Sequence, residues 1–493
     1  SPSPAPPFPP PPACGRPLSG KCRAMAIGAE ASTCSNDGTS TRSSSAGASD
    51  EASTCGSSGP PACDSLRPPS GTSGNGGLTL AAKSDVEADM PPLHAVLPVM
   101  ISVIQGYTLI GPLQHSFKEA MNVGDTGALG HAFTQAAALV QWGKFAMTMG
   151  QNLVLAPCSP LVRVYIAMAG MFLGALIPPF CVFALESHWF GWVFLSFGLI
   201  GLSLGVFECT FLNVITPLGP LTKSWAIMGF PAAFFLINVL GFLLVSFGMP
   251  VQVLFWYVVA CMPFGAALFA FRVVPRLREV WSESAGRAAR ADGEAGGKGA
   301  AIWDSCLDWR AWLPSLLPFM LCNIVGHFVM EGALPANFNA FNDHVVPLLG
   351  RTDDHLMNKE RFFVVFFVFV GVGDMASRRF TYSLGLDTYR SSIIALLAAL
   401  ACCLAGMYLT TLGIGVVAWL SAFLSFWGQG MNYAIGSKYI DRFVPRRHNL
   451  AAYSFWIFTG AAGAILGSTL VDVIRYWICH GEVYQHECLA HSR

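Results

Sequence analysis

From about residue 92 to residue 478 the chain is a train of long apolar runs, each bounded by a short polar or Pro/Gly-rich break, with very few charges inside the runs. A helix needs about 20 mostly apolar residues to cross the hydrocarbon core of a bilayer. Repeated many times over, runs of that length read as spans packed side by side. Composition agrees: hydrophobic residues are 53% of 493 and charged residues only 12%, against roughly 25% charged in soluble domains. A soluble domain is excluded. The formal net charge is zero, so no basic stripe is available for phosphates, and nucleic acid is excluded as a partner.

Candidate spans lie at about 93–113, 128–149, 162–185, 189–212, 224–247, 251–274, 312–333, 361–378, 391–411, 414–436 and 450–477. Only Thr410-Thr411-Leu412-Gly413 separates the ninth from the tenth. The break from Arg272 to Arg310 divides six runs from five and holds Arg276, Arg278, Arg287, Arg290 and Lys298, which assigns it to the cytosol. Alternate breaks agree, with Arg378, Arg379 and Arg390 after the eighth run and Lys438, Arg442, Arg446 and Arg447 after the tenth. The opposite breaks, ESHW and GMP, are poor in basic residues, and 334–360 is mixed. The expected fold is an all-α integral membrane protein of about eleven helices in a 6+5 arrangement, with the N-terminus inside and the C-terminus outside. Its expected parts are an N-terminal bundle over 91–275, a cytosolic linker over 276–310, a C-terminal bundle over 311–478 and an external tail over 479–493.

Residues 1–90 are a different material, rich in Pro, Ser, Gly and Ala, and read as a disordered cytosolic tail. No apolar stretch of about 7–15 residues marks a secretory signal there. The sequence begins at Ser1, and Met25 or Met90 would serve equally as a start. The 15 cysteines show no zinc-ligand spacing. Cys181, Cys209, Cys261, Cys402 and Cys403 sit in apolar runs as small hydrophobes. In the terminal CHGEVYQHECLAH, a Cys479–Cys488 disulfide and a metal site both stay open.

Charges inside spans are costly, roughly 2.5–3.5 kcal/mol each near a helix centre, and mark function by default. Asp374 and Arg378 stand four residues apart on one face of the eighth run. Paired, they hold a polar ligand or lock a gate; alternatively, Arg378 snorkels to the headgroups and Asp374 tethers it. Glu208 in the fourth run is either an interfacial carboxylate or a group for substrate or a coupling proton. His327 and Glu331 in the seventh run either line an outer vestibule or form a solvated helix end. Lys144, Asp472 and Arg475 read as snorkelling or boundary residues. Gly463 and Gly467 form a small-residue face for close helix packing. No Walker A loop, GxSxG elbow or HExxH appears, so neither an enzyme nor an ATP-driven pump is expected, and no cofactor is implied.

The segment FVFVGVGDMASR resembles the equilibrative nucleoside transporter family, in which a Phe-rich stretch ends in Asp, three residues and Arg; Ser377 stands where the family often has Gly. GYTLIGPLQHSF resembles the family's Leu-Pro-Trp-Asn segment, with Pro112 matching and Leu113 and Gln114 replacing Trp and Asn. The stretch from Glu208 to Gly229 resembles a run that begins in the family with Gln. GQGMNYAIGSKYI and FTGAAGAILGSTL resemble its Asn-Gly-Tyr and Gly-rich terminal segments. The resemblance implies a major-facilitator-like bundle of two halves that carries nucleosides or nucleobases by alternating access. It places the solute among helices 1, 4, 7 and 8, near Asp374, Arg378, Glu208, Gln114, His327 and Glu331. Glu in place of Gln also admits a cationic solute or a proton as coupling ion. Two other readings stand beside this one: a major facilitator carrier for a sugar, amino acid or drug-like solute, and a membrane scaffold acting through its tail. External cysteines and the lack of a retrieval signal favour the plasma membrane over an organelle.

Overall fold

The computed structural model describes residues 91–109, 121, 128–291, 309–333, 345–349, 355–410, 412, 414–445, 448–470 and 473. The tail over 1–90, Gln114, Asp472, Arg475, Cys479 and Cys488 lie outside the described residues.

Every apolar run carries a helix. The helices are α1 Val96–Thr108, α2 Ala128–Val154, α3 Pro160–Ile177, α4 Gly191–Ile215, α5 Pro220–Ser246 and α6 Val251–Leu268. After the break come α7 Trp309–Phe328, α8 Lys359–Ser383, α9 Tyr389–Thr410, α10 Gly415–Phe443 and α11 Asn449–Thr469. The start of α3 shows the local logic: Ser159 caps it by accepting from the amide of Val162 at 3.4 Å, and Pro160 occupies the first turn, where its missing N–H costs nothing. Among the described residues, three helices run into π-helical turns, α3 at Pro178–Ala184, α6 at Phe269–Val273 and α7 at Val329–Ala333. Beyond its π turn, α6 continues as Val274–Ala291 into the Arg-rich break.

Among the described residues, seven helices, α3 to α7, α9 and α11, contain stretches long and apolar enough to cross a membrane. The others are exceptions with physical reasons. The helix α1 is apolar but short. Into α2, α8 and α10 the sequence puts polar groups such as Lys144, Asp374, Arg378, Gln429 and Asn432, and their burial against other helices makes them tolerable in lipid. The helices α8 and α10 extend past the apolar runs that announce them, to Ser383 and Phe443, because their last turns are polar but still helical. A short antiparallel hairpin, Val345–Pro347 with Leu356–Asn358, adds two strands that the all-α expectation did not contain. Val346 of that hairpin is buried beside Phe362 and Phe366.

Within the helices before the break, α4 packs on α2 and α3, and α1 on α5 and α6. After it, α10 packs on α8 and α9, and α11 on α7. The two groups, here the first and second halves, meet along two seams, α5 with α8 and α2 with α11. Glycines set the tightest approaches. A methyl on Gly201 of α4 would lie 2.8 Å from Cα of Val140 on α2, and one on Gly463 of α11 would lie 2.9 Å from Cα of Ile324 on α7. That is the close backbone contact expected where lipid supplies no hydrophobic drive between helices.

Candidate functional site

The site is a buried layer of charge and aromatic rings where the halves meet. On α8, Arg378 donates through Nε to Asp374 Oδ1 at 2.6 Å and through Nη2 to Oδ2 at 3.0 Å. This two-pronged geometry is the strongest form of an arginine–carboxylate pair. Both residues are buried, so Arg378 does not snorkel. Its remaining prong donates from Nη1 to the carbonyl of Ile227 on α5, 3.1 Å away in the first half. Gly430 of α10 makes room for the pair, since a methyl there would sit 2.5 Å from Asp374 Oδ1.

Tyr433 of α10, one turn beyond Gln429, joins this pair to Glu208. The Arg378 guanidinium lies 4.4 Å from the centroid of the Tyr433 ring, a stacking distance at which the ring face attracts the cation. The Tyr433 hydroxyl donates to Glu208 Oε1 on α4 at 2.7 Å. The other carboxylate oxygen, Oε2, is 2.8 Å from Nζ of Lys144 on α2. Glu208 is only 2% exposed and Lys144 8%. The interfacial reading of Glu208 and the snorkelling reading of Lys144 are therefore both corrected: each has its counter-charge inside the bundle and no need to reach the headgroups. Phe230 of α5 closes the layer, 5.9 Å from both the Lys144 ammonium and the Arg378 guanidinium. Two carboxylates and two cations thus balance formally, each charge paired where an unpaired one would be expensive.

The remaining predicted residues sit around this layer. His327 is half-buried on α7 against Gly460 of α11, with its ring 2.8–2.9 Å from where a methyl on that glycine would be. Glu331 follows in the π turn, also half-buried.

Sequence reasoning missed several members. Tyr433 read as part of an apolar run, and only its neighbours Gln429 and Asn432 hinted at a polar face. Tyr107 on α1 accepts a 3.0 Å hydrogen bond from Gln141 of α2 and lies near Phe230. Lys144 did give a signal, a lone cation within an apolar run, but nothing in the run named its partner.

A second polar cluster ties the halves at the end that carries the Arg- and Lys-rich breaks. Lys223 of α5, 1% exposed, donates to Asp441 of α10 at 2.7 Å, to the Tyr453 hydroxyl of α11 at 2.6 Å and to Thr216 at 2.9 Å. Tyr453 in turn donates to Asp441 at 3.0 Å. Nearby, Arg379 donates to Ser224 at 3.2 Å and lies over Trp225.

No protein-family model matches the sequence, and no curated protein matches it significantly. Solved structures do resemble it. The human organic anion transporter MFSD10 aligns over 79% of this chain and 94% of its own at 15% identity, with a TM-score of 0.50. The E. coli fucose:proton symporter FucP covers 80% of this chain and 93% of its own at 13% identity, with a TM-score of 0.54. The proton:xylose symporter XylE covers 80% and 92% at 13% identity, with a TM-score of 0.56. With its membrane-length apolar helices, the chain is an integral, multi-pass membrane protein with the fold of the major facilitator superfamily.

Proposed function

We propose that the chain is a membrane carrier that moves a nucleoside or nucleobase by alternating access, with no chemical step of its own. One observation carries the reading: the unbroken path Lys144–Glu208–Tyr433–Arg378–Asp374, which passes from the first half to the second and back to Ile227. A static anchor has no need of buried charge shared between two rocking halves, whereas a carrier needs contacts that form in one arrangement and break in another. Asp374 and Arg378 hold the α8 side of the site, and Glu208 acts from α4 as the group at which a coupling proton would bind. His327 and Glu331 border the path to the external side, and Gln114, outside the described residues, is assigned to the site by the sequence resemblance alone.

Labelled adenosine, uridine and hypoxanthine offered to cells expressing residues 90–493 test the reading. Saturable uptake is expected, abolished in Asp374→Asn with the protein still at the surface; normal uptake by that variant would sink the assignment. A second reading is favoured by the names of the similar structures, which carry organic anions, fucose and xylose. Uptake of a sugar or an organic anion, uncompeted by nucleosides, would select it.

A further inference from the structure

The charged layer is fully paired within itself, so a neutral solute gains little from it without breaking an ion pair. The seam between α7 and α10 is different. Gln429 and Asn432 of α10 and Asn323 of α7 are 2%, 4% and 2% exposed. Among the described residues their side-chain oxygens, Gln429 Oε1, Asn432 Oδ1 and Asn323 Oδ1, accept no hydrogen bond. Two of the amides are fixed through their nitrogens: Asn323 donates to the Trp456 carbonyl at 2.8 Å and Asn432 to the Cys322 carbonyl at 3.4 Å. Their oxygens are thereby held in place as acceptors. Most buried polar groups find a partner, and two acceptors of α10 without one on the seam with α7, beside a third at Asn323 on the α11 side of α7, call for an explanation.

Position supplies it. Gln429 lies one helical turn before Tyr433 and on the same face of α10. Its oxygen rests against Gly326 of α7, where a methyl would collide with it and would lie 3.3 Å from Asn432 Nδ2. His327 follows Gly326 directly. Gln429, with Asn432 beside it, therefore continues the wall that Tyr433 begins. Carbonyl oxygens attract N–H and O–H groups and repel anions.

We propose that Gln429, supported by Asn432, is the hydrogen-bond-accepting wall of the solute site and selects a neutral solute through an N–H or O–H donor, such as the amino group of a nucleobase. This rests on the carrier reading above. It adds α10 to the site and gives the solute a required chemical feature.

The test compares uptake of adenosine with that of purine riboside, which lacks only the amino group, in the full chain and in Gln429→Leu, Gln429→Glu and Gly326→Ala, each checked for surface level. Sites built around a hydrogen bond reject analogues that lack the donor, so the parent is expected to prefer adenosine by about tenfold or more. In Gln429→Leu the ratio falls towards one, Gln429→Glu keeps the preference because it keeps an acceptor, and Gly326→Ala lowers it by displacing the amide. Equal uptake of both solutes by the parent, or an unchanged ratio in Gln429→Leu, overturns the inference. If the parent carries a hexose instead, the pair becomes that hexose and its deoxy analogues, with the same ratios expected. Transport of organic anions alone overturns the inference but leaves a carrier. Transport of nothing offered overturns the carrier reading and this inference with it.

Discussion

Lys223 on α5 and Asp441 on α10 meet at 2.7 Å across the two halves, with the lysine almost wholly out of solvent. Among the described residues the ammonium has no other carboxylate at hand, and its further partners, Tyr453 and Thr216, are neutral. Removing one member of a buried pair costs about 3–5 kcal/mol, and the partial exposure of Asp441 places this pair towards the lower end. Asp441→Asn should therefore lower the melting temperature of the purified protein. The exchanged pair Lys223→Asp with Asp441→Lys should recover part of the loss. A melting temperature equal to the parent's in Asp441→Asn would show that the tie does not hold the halves together.

Tyr433 has two separable contacts. Its ring faces Arg378 and its hydroxyl reaches Glu208. Tyr433→Phe keeps the first and removes the second, leaving a carboxylate oxygen short of one charge-assisted bond, a loss of about 1.5–3 kcal/mol. Uptake should fall at least tenfold while surface level holds. Tyr433→Leu, which removes the ring as well, should fall further, and equal uptake in the two variants would deny the ring a role.

Glu208 allows a test of proton coupling with a definite sign. A carboxylate that must take up a proton before the halves rearrange gives transport that rises as pH falls. Uptake by the parent is expected to rise from pH 7.5 to 6, and Glu208→Gln, permanently neutral, should show no such rise. A rise of equal size in the variant would place the coupling proton elsewhere.

Gly201 and Gly150 make a matched pair for helix packing. A methyl on Gly201 would press into the backbone of α2 at Val140, whereas the nearest atom to a methyl on Gly150 is Met147 Sδ at 3.8 Å. Gly201→Ala should reduce the yield of folded protein and its melting temperature, and Gly150→Ala should leave both near the parent's. The contrast reads directly from fluorescence size-exclusion profiles of detergent extracts.

Much of the helical architecture was legible because lipid imposes a simple rule: about 20 apolar residues per crossing, with breaks between. The division at Thr410–Gly413 shows the rule's resolution, since α9 ends at Thr410 and α10 begins at Gly415. The Asp374–Arg378 pair was legible for a local reason, because both members sit on one helix and the spacing alone makes them neighbours. The roles of Tyr433 and Lys144 and the Lys223–Asp441 tie were not legible in the same way. Their partners are distant in sequence, 225 residues for Tyr433 and Glu208 and 218 for Lys223 and Asp441, and no periodicity within a run reports which helix faces which. The hairpin at Val345–Asn358 was missed because strands of three residues leave no alternating pattern to detect.

The π turn at Val329–Ala333 divides α7 into two parts that respond differently to chain length. Each residue of an α-helix advances it by about 100°, and a π turn is in effect one residue too many, wound in without breaking the helix. Losing a single residue there would let α7 rewind to regular geometry with the rest of the helix still on its present side, because the turn already absorbs the surplus. The same loss in the regular stretch before it would swing everything that follows, Glu331 included, through about that angle. Where a residue is lost from α7 thus matters more than that one is lost.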